Sequence, residues 1–304
     1  MTEQKHQSVS SCEYDDNWIK ETWGWDTPEE FVRTGGRNLR PRILYSLKLA
    51  NLRPGMRVLD VGCGRGEVIL HCGRQGIYAV GADYSKEAVS LANKAKAVHT
   101  PDEQKYMRFI CDDVKNIKDE EPFDRIFLLD LVEHLYDWEL NQLFQVCKNL
   151  LKPDGAIIIH TLPNKWLYEI TYRRLLRIFM PRLPENPRSK KEESIHINEM
   201  TIIHLHRLLK NNGFSSRIWL DDLITKQAKW VGEEDLIDRR KSFYKWMRNP
   251  FMGKFYHAMC LTPLRILIAN DIFAVAVKQG EFFKSYRHIP QNRTESVIIW
   301  LAES

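Results

Sequence analysis

Apolar residues in this chain gather into short dense runs, separated by stretches where they recur every three or four positions, and the alternation begins near Arg57. Runs of four to eight apolar residues bounded by turn formers predict buried strands, and a 3.6-residue spacing predicts helices packed along one side. "RVLDVG" (57–62), "YAVGAD" (78–83), "MRFICDD" (107–113) and "FDRIFLLDL" (123–131) are the first four strands. After the second, Ser85 is placed to cap a helix whose apolar side is Ala88, Leu91, Ala92 and Ala95. Asp137 is expected to cap the next helix, with Leu140, Leu143, Phe144, Cys147, Leu150 and Leu151 at helical spacing. "PDG" (153–155) turns into a fifth strand, "AIIIHTL". A helix from about Thr201 buries Ile202, Leu205, Leu208 and Leu209 and stops at Gly213. "FSSRIWL" and "DIFAVAVK" are strands six and seven. Strands separated by helices predict an α/β fold with a parallel, doubly wound sheet.

Two segments break the alternation, 165–198 and 222–270. Both are basic, aromatic and longer than a connection requires, so they are expected as helical lid insertions on a core domain of 51–278. A Trp-rich cap (1–50) and a C-terminal extension (279–304) complete the expected organisation.

Composition adds little to this picture: 43% hydrophobic and 28% charged residues suit an ordinary globular protein of 304 residues. Charge adds more. Residues 1–164 hold 21 Lys and Arg against 25 Asp and Glu, whereas 165–304 hold 24 against 15. The basic surplus therefore belongs to the insertion-bearing half. Six scattered cysteines, with no C-x-x-C, read as a reduced thiol set, and no histidine–carboxylate set shows metal spacing, so no metal is expected. No apolar run reaches the roughly 18 residues a membrane span needs. A cytoplasmic protein, at most peripheral to a membrane, is the expectation.

Chemistry first surfaces at "VLDVGCGRGEV" (58–68), where Gly62, Gly64 and Gly66 follow a strand ending in Asp60. No Lys-Ser/Thr follows the glycines, which excludes a P-loop, and G-x-G-x-G departs from the dinucleotide fingerprint. Asp83 ends the second strand, and Asp113 the third. Three carboxylates then gather at the carboxyl edge of a parallel sheet, where such folds bind ligands. Carboxylates repel pyrophosphate but suit a sulfonium, an ammonium or a ribose. Taken singly, Asp60 can equally cap a helix and Asp113 can be a turn residue.

Together, "VLDVGCGRG", "GADYS", "CDDV", "FDRIFLLDLVEHL", "LLKPDG" and "TLPN…HINEMT" resemble class I S-adenosylmethionine (SAM) dependent methyltransferases, nearest the branch of quinone-biosynthesis and related small-molecule enzymes. The resemblance covers about 52–222 and 271–278. It implies a Rossmann-like seven-stranded sheet with a last antiparallel strand, SAM as cofactor and S-adenosylhomocysteine (SAH) as product. It further implies that backbone at Gly62, Gly64, Leu129 and Asp130 lies against the methionine part of SAM, with Asp60 near its amino group. Gly66 would admit the following helix closely. Asp83 would take the ribose hydroxyls, Tyr84 cover the adenine, Asp113 accept its amino group, and the Val114 N–H serve a ring nitrogen.

Methyl transfer from a sulfonium is a displacement in which positioning contributes on the order of 7–11 kcal/mol. An oxygen acceptor also needs a base. His134, just after the fourth strand, is the candidate, with Glu133 as a second candidate or orienting partner. The Glu-His pair can also merely close its loop. His196 is a further candidate, as base or as substrate contact, and His160 reads as a core histidine. Arg37, Arg40 and Arg42 can contact an acceptor's carboxylate or phosphate, or simply lie on the surface.

The segments 173–184 and 239–259 mix cations with bulky apolar residues. Three readings stay open for them: a lid over the acceptor, peripheral contact with an anionic membrane carrying a lipid-linked acceptor, and a nucleic-acid surface. The modest net charge and the lack of a recognisable RNA-binding module speak against nucleic acid. The expected function is methyl transfer to a small or lipid-like organic acceptor, with oxygen favoured over nitrogen or carbon. The alternatives are an RNA or protein methyltransferase, and a SAM-binding protein without turnover.

Overall fold

Strands with no polar face are buried only if helices cover both sides of their sheet. The computed structural model, which describes residue 9 and residues 26–117, 121–179, 190–221 and 249–280, meets that condition. Its strands are β1 (Arg57–Val61), β2 (Tyr78–Asp83), β3 (Met107–Cys111), β4 (Phe123–Leu129), β5 (Leu151–Thr161), β6 (Phe214–Asp221) and β7 (Asp271–Lys278). They form one sheet in the order β3-β2-β1-β4-β5-β7-β6. β7 runs antiparallel to both neighbours, and the other pairings are parallel. The order reverses between β1 and β4, the crevice where open α/β sheets bind ligands.

Helices α1 (Pro28–Thr34), α2 (Pro41–Ala50), α3 (Glu67–Arg74) and α4 (Lys86–Lys96) supply one apolar layer, through Phe31, Ile43, Leu47, Leu70, Ala88 and Leu91. On the opposite face α5 (Asp137–Leu150) and α6 (Ile202–Asn211) bury Leu140, Phe144, Ile202 and Leu205. Thr27 caps α1 and Ser85 caps α4, each hydroxyl accepting a backbone N–H of the first turn. Gly213, at φ 78°, follows the end of α6 as expected. A further helix, α7 (Pro250–Cys260), is capped by Asn249, whose Oδ1 accepts the Phe251 N–H at 2.9 Å.

Three expectations need correction. β5 starts at Leu151 rather than after 153–155, because the ladder slips: Phe123 faces Leu151, but Arg125 already faces Ala156. The extra residues loop out as an irregularity within the strand. β3 ends at Cys111, so Asp113 lies two residues beyond it and opens the short turn Val114–Asn116. Asp137 is not a cap but the first residue of α5, preceded by Tyr136. Its carboxylate instead receives Asn198 Nδ2 (2.8 Å) and faces His204 Nε2 (2.9 Å), tying α5 to α6 and the loop before it.

Between β5 and α6 the described residues form a wide π-helical segment, Leu167–Leu176, its extension Arg177–Phe179, and the helix Lys190–Ile195. Thr171 donates its hydroxyl to the Leu267 carbonyl at 2.5 Å, and Asn164 donates to Ile266 and Ala269, so this segment is tied to the short helix Arg265–Ile268 after α7. The parts of the cap at 1–8 and 10–25, those of the two insertions at 180–189 and 222–248, and the extension beyond 280 lie outside the described residues.

Candidate active site

Adjacent parallel strands bring the carboxyl ends of β1 and β2 together, with Asp60 in register with Gly81. The loop leaving β1 holds Gly62, Gly64 and Gly66 at φ 69°, 52° and 85°, a region that costs any residue with a Cβ. Space is as restrictive as torsion. A Cβ on Gly66 would overlap the Phe109 ring, and one on Gly62 would lie 3.0 Å from Leu131 Cδ1. The Gly64 N–H donates to Asp83 Oδ2 and the Ser85 N–H to Asp83 Oδ1, both at 2.8 Å. Asp83 therefore braces the glycine loop while keeping lone pairs for further donors.

Asp60 is buried at 4% exposure. Burial first, then the neighbouring Glu67, Asp83 and Asp130, push its carboxyl well above the usual range. A cationic group placed there would offset the crowd of carboxylates, whereas a phosphate would worsen it. The residues thus fit a ligand with an ammonium or a sulfonium. Glu67 is tied to Arg65 Nε at 2.9 Å and Arg40 at 3.5 Å, and the Arg65 guanidinium lies 4.3 Å over the Phe31 ring. Through this contact α1 reaches the glycine loop.

The end of β4 is held unusually firmly. Asp130 has φ 54°, rare for a residue other than glycine. Its carboxylate receives Arg42 Nε at 2.6 Å and His160 Nδ1 at 2.5 Å, and its N–H donates to the His160 carbonyl at 2.9 Å. The other ring nitrogen of His160 meets Asp271 Oδ1 at 3.0 Å. Burial alone would raise the Asp130 carboxyl, but Arg42 and His160 hold it well below the carboxylate range. Burial alone would lower His160, but Asp130 and Asp271 lift it to about 9.

The chain then makes the tight turn Val132–His134. Glu133 Oε2 accepts the Thr161 hydroxyl at 2.8 Å, and its backbone carbonyl accepts the Asn198 N–H at 3.0 Å. His134 Nδ1 faces the Ile195 carbonyl at 3.1 Å, a bond that places the proton on Nδ1 and leaves Nε2 an acceptor. The His134 and His196 rings meet edge to face, 4.8 Å between centroids. Burial, then Asp130, raises Glu133 to about 8; burial, then His196, lowers His134 to about 3. One ligand-capable atom each of Glu133, His134 and His196 lie within 4.8 Å of one another. Linear spacing does not announce this cluster, because only the fold brings His196 to the adjacent Glu133 and His134.

Asp60, Gly62, Gly64, Gly66, Asp83, Leu129 and Asp130 therefore converge on one edge of the sheet. Tyr84 is 39% exposed beside them. Asp113 accepts the Lys115 N–H at 2.9 Å as a turn aspartate does, and the Val114 side chain enters the core. Arg40 and Arg42 are committed to Glu67 and Asp130, and Arg37 donates to the Thr34 carbonyl. Sequence reasoning missed Glu67, Thr161 and Asp271. Glu67 alone left a signal, being adjacent to the glycine loop.

A family model described as a methyltransferase domain matches residues 31–217, more than half of the chain, and the chain belongs to that family. A ubiquinone biosynthesis O-methyltransferase of Neisseria meningitidis serogroup C is 30% identical over 171 residues, 54% of this chain and 68% of that protein. Against proteins of the same name from Bradyrhizobium diazoefficiens and Alkalilimnicola ehrlichii, the chain spans about half of their length, 46% and 51%. Among solved structures, a mycolic acid cyclopropane synthase complexed with SAH and CTAB shares the fold at a TM-score of 0.56 and 16% identity, over 90% of this chain and 99% of that one. A phosphoethanolamine N-methyltransferase 2 of Haemonchus contortus, in complex with phosphomonomethylethanolamine and SAH, follows at 0.55 and 18%, over 89% and 60%. The expected class, a SAM-dependent methyltransferase on a Rossmann-like sheet with an antiparallel β7, is borne out.

Proposed function

We propose that this protein transfers the methyl group of SAM to an oxygen of a small or lipid-like organic acceptor. One observation carries the preference for oxygen: Glu133, buried beside the methyl-donor edge and raised to about 8, is matched to receive a proton near neutral pH. A hydroxyl must lose its proton on methylation, whereas a neutral amine needs only orientation. The names of the O-methyltransferase relatives support the same reading.

In this mechanism SAM supplies an electrophilic methyl carbon on a sulfonium. Asp83 takes the ribose hydroxyls, Tyr84 covers the adenine, and Asp113 with the Val114 N–H serves its edge. Backbone at Gly62, Gly64, Leu129 and Asp130 lines the methionine part, Asp60 meets its amino group, and Gly66 lets α3 pack closely. Glu133 takes the acceptor hydroxyl's single proton, and His134, whose Nδ1–H is bound to the Ile195 carbonyl, holds the turn that carries Glu133. His134, at about 3, is too weak a base for that step but stays neutral throughout the working range. His196 packs against His134 and bounds the acceptor side. The test is labelled-methyl transfer from SAM to phenolic and amine fractions of a lipid extract. Incorporation into phenols that falls about a hundredfold in Glu133→Gln, with SAH affinity intact, is the expected result. Incorporation into amines alone would overturn it.

The acceptor is lipid-linked and met at a membrane surface on this reading, although no described helix is long and apolar enough to cross one. The support is α7, whose outward stripe carries Phe251 (75% exposed), Phe255 (53%) and, just past its end, Leu261 (67%), with Lys254 between them. Apolar residues facing outward beside a cation suit the interface of an anionic bilayer. The full-length protein is expected to sediment with phosphatidylglycerol-containing vesicles and not with pure phosphatidylcholine. Phe251→Ser with Phe255→Ser abolishes that sedimentation; unchanged binding by the double variant would remove α7 from the contact.

A further inference from the structure

We infer that His160 is a positioning residue for cofactor binding: by bridging Asp130 and Asp271, it fixes the end of β4 against the glycine loop. Its side chain is fully buried, and each ring nitrogen faces a carboxylate oxygen, at 2.5 and 3.0 Å. A carboxylate only accepts hydrogen bonds, so with both partners ionised each ring nitrogen must carry a proton for the two bonds to exist. In that arrangement the ring is an imidazolium, in keeping with its rise to about 9. The charges then balance, with Arg42 and His160 against Asp130 and Asp271. The unmet Asp271 Oδ2 also makes the bond at Oδ1 costly to lose.

What the bridge positions follows from the contacts on either side. Asp130 sits at a strained φ and is held by two bonds from β5, both to His160, and by Arg42. Leu131 comes next, and its Cδ1 is the atom a side chain on Gly62 would meet at 3.0 Å. A shift at Asp130 thus moves Leu131 against the loop that lines the cofactor. Thr161, the neighbour of His160, holds Glu133, so two successive residues of β5 set both the donor and the acceptor sides. The charged groups facing this ring are Asp130 just past β4, Asp271 from β7, Arg42 and Arg40 from α2 and its cap through Asp130, and Glu133 from the turn. The Phe273 ring covers it at 4.6 Å.

This inference goes beyond the choice of acceptor, and its test needs none: calorimetric titration of the full-length protein with SAH. Asparagine offers an amide N–H about where Nδ1 lies, and glutamine about where Nε2 lies. His160→Leu is expected to weaken SAH binding on the order of tenfold, the scale of one charge-assisted hydrogen bond. His160→Asn keeps the donor to Asp130 and should stay within about threefold of the wild type, whereas His160→Gln should fall with the leucine variant. As pH rises through about 9 the bridge loses a proton, so wild-type affinity should decline more steeply than that of His160→Asn. The asparagine variant controls for titration of the ligand's own amino group. A folded leucine variant with wild-type affinity, or equal affinities in the asparagine and glutamine variants, overturns the proposal. Should the leucine variant not fold, the asparagine–glutamine comparison decides alone.

Discussion

Asp83 serves two masters at the sheet edge: it braces the Gly64 and Ser85 amides, and it faces the ligand crevice. Asp83→Ala is expected to weaken SAH binding by roughly tenfold or more, since charge-assisted bonds are lost, while the core is untouched. Calorimetry beside a thermal melt separates the two effects, and unchanged affinity would take Asp83 out of the site. Gly66→Ala tests the loop from the other side. A positive φ together with overlap on Phe109 should cost about 1–3 kcal/mol, read as a lower denaturation midpoint. At this scale the sequence was readable where chemistry is local. Asp60, the glycines and Asp83 are announced by strand ends and short spacings. The partners of His160 are not, because Asp271 lies 111 residues away and only the sheet brings it near.

Among the elements, β5 and the loop after it carry the most function per residue, with His160, Thr161 and Asn164 each reaching a different part of the site's frame. Asn164 is fully buried and donates to the Ile266 and Ala269 carbonyls at 2.8 and 3.0 Å. Asn164→Ala leaves both carbonyls without that donor, and unfolding experiments should show a loss of about 3 kcal/mol. A loss near zero would mean that water replaces the amide. Strand and helix order was legible because buried parallel strands and one-sided helices write different periods. The start of β5 was not: 153–155 reads locally as a turn, yet the ladder resumes on both sides of it. Tyr136 displaced the expected Asp137 for a similar reason, since the bonds that recruit that carboxylate come from far along the chain, Asn198 in a loop and His204 in α6.

For the molecule as a whole, buried titrations set the pH range of stability. Glu133, raised from 4.5 to about 8, contributes fully below 4.5, and its contribution is lost as pH rises through 8. His160, raised from 6.5 to about 9, contributes fully below 6.5 and is lost through 9. His134, lowered from 6.5 to about 3, acts in the opposite sense: its contribution is present above 6.5 and lost as pH falls through 3. Urea midpoints are therefore expected to fall from neutral toward pH 10. Glu133→Gln should flatten the part of that decline below pH 8 and leave the part above it. A midpoint that climbs with pH across this range would contradict the assignment.

The place of β7 also sets a timetable for synthesis. It is the last described strand to leave the ribosome, yet it lies between β5 and β6, both translated before it. Until residues 271–278 emerge, those two strands each wait with an unpaired edge on the side β7 will fill. Asp271, which completes the bridge at His160, is the first residue of that strand. Sheet closure and neutralisation of the buried imidazolium are thus one late event. A nascent chain paused before it presents chaperones with two open edges and a histidine still missing its second carboxylate.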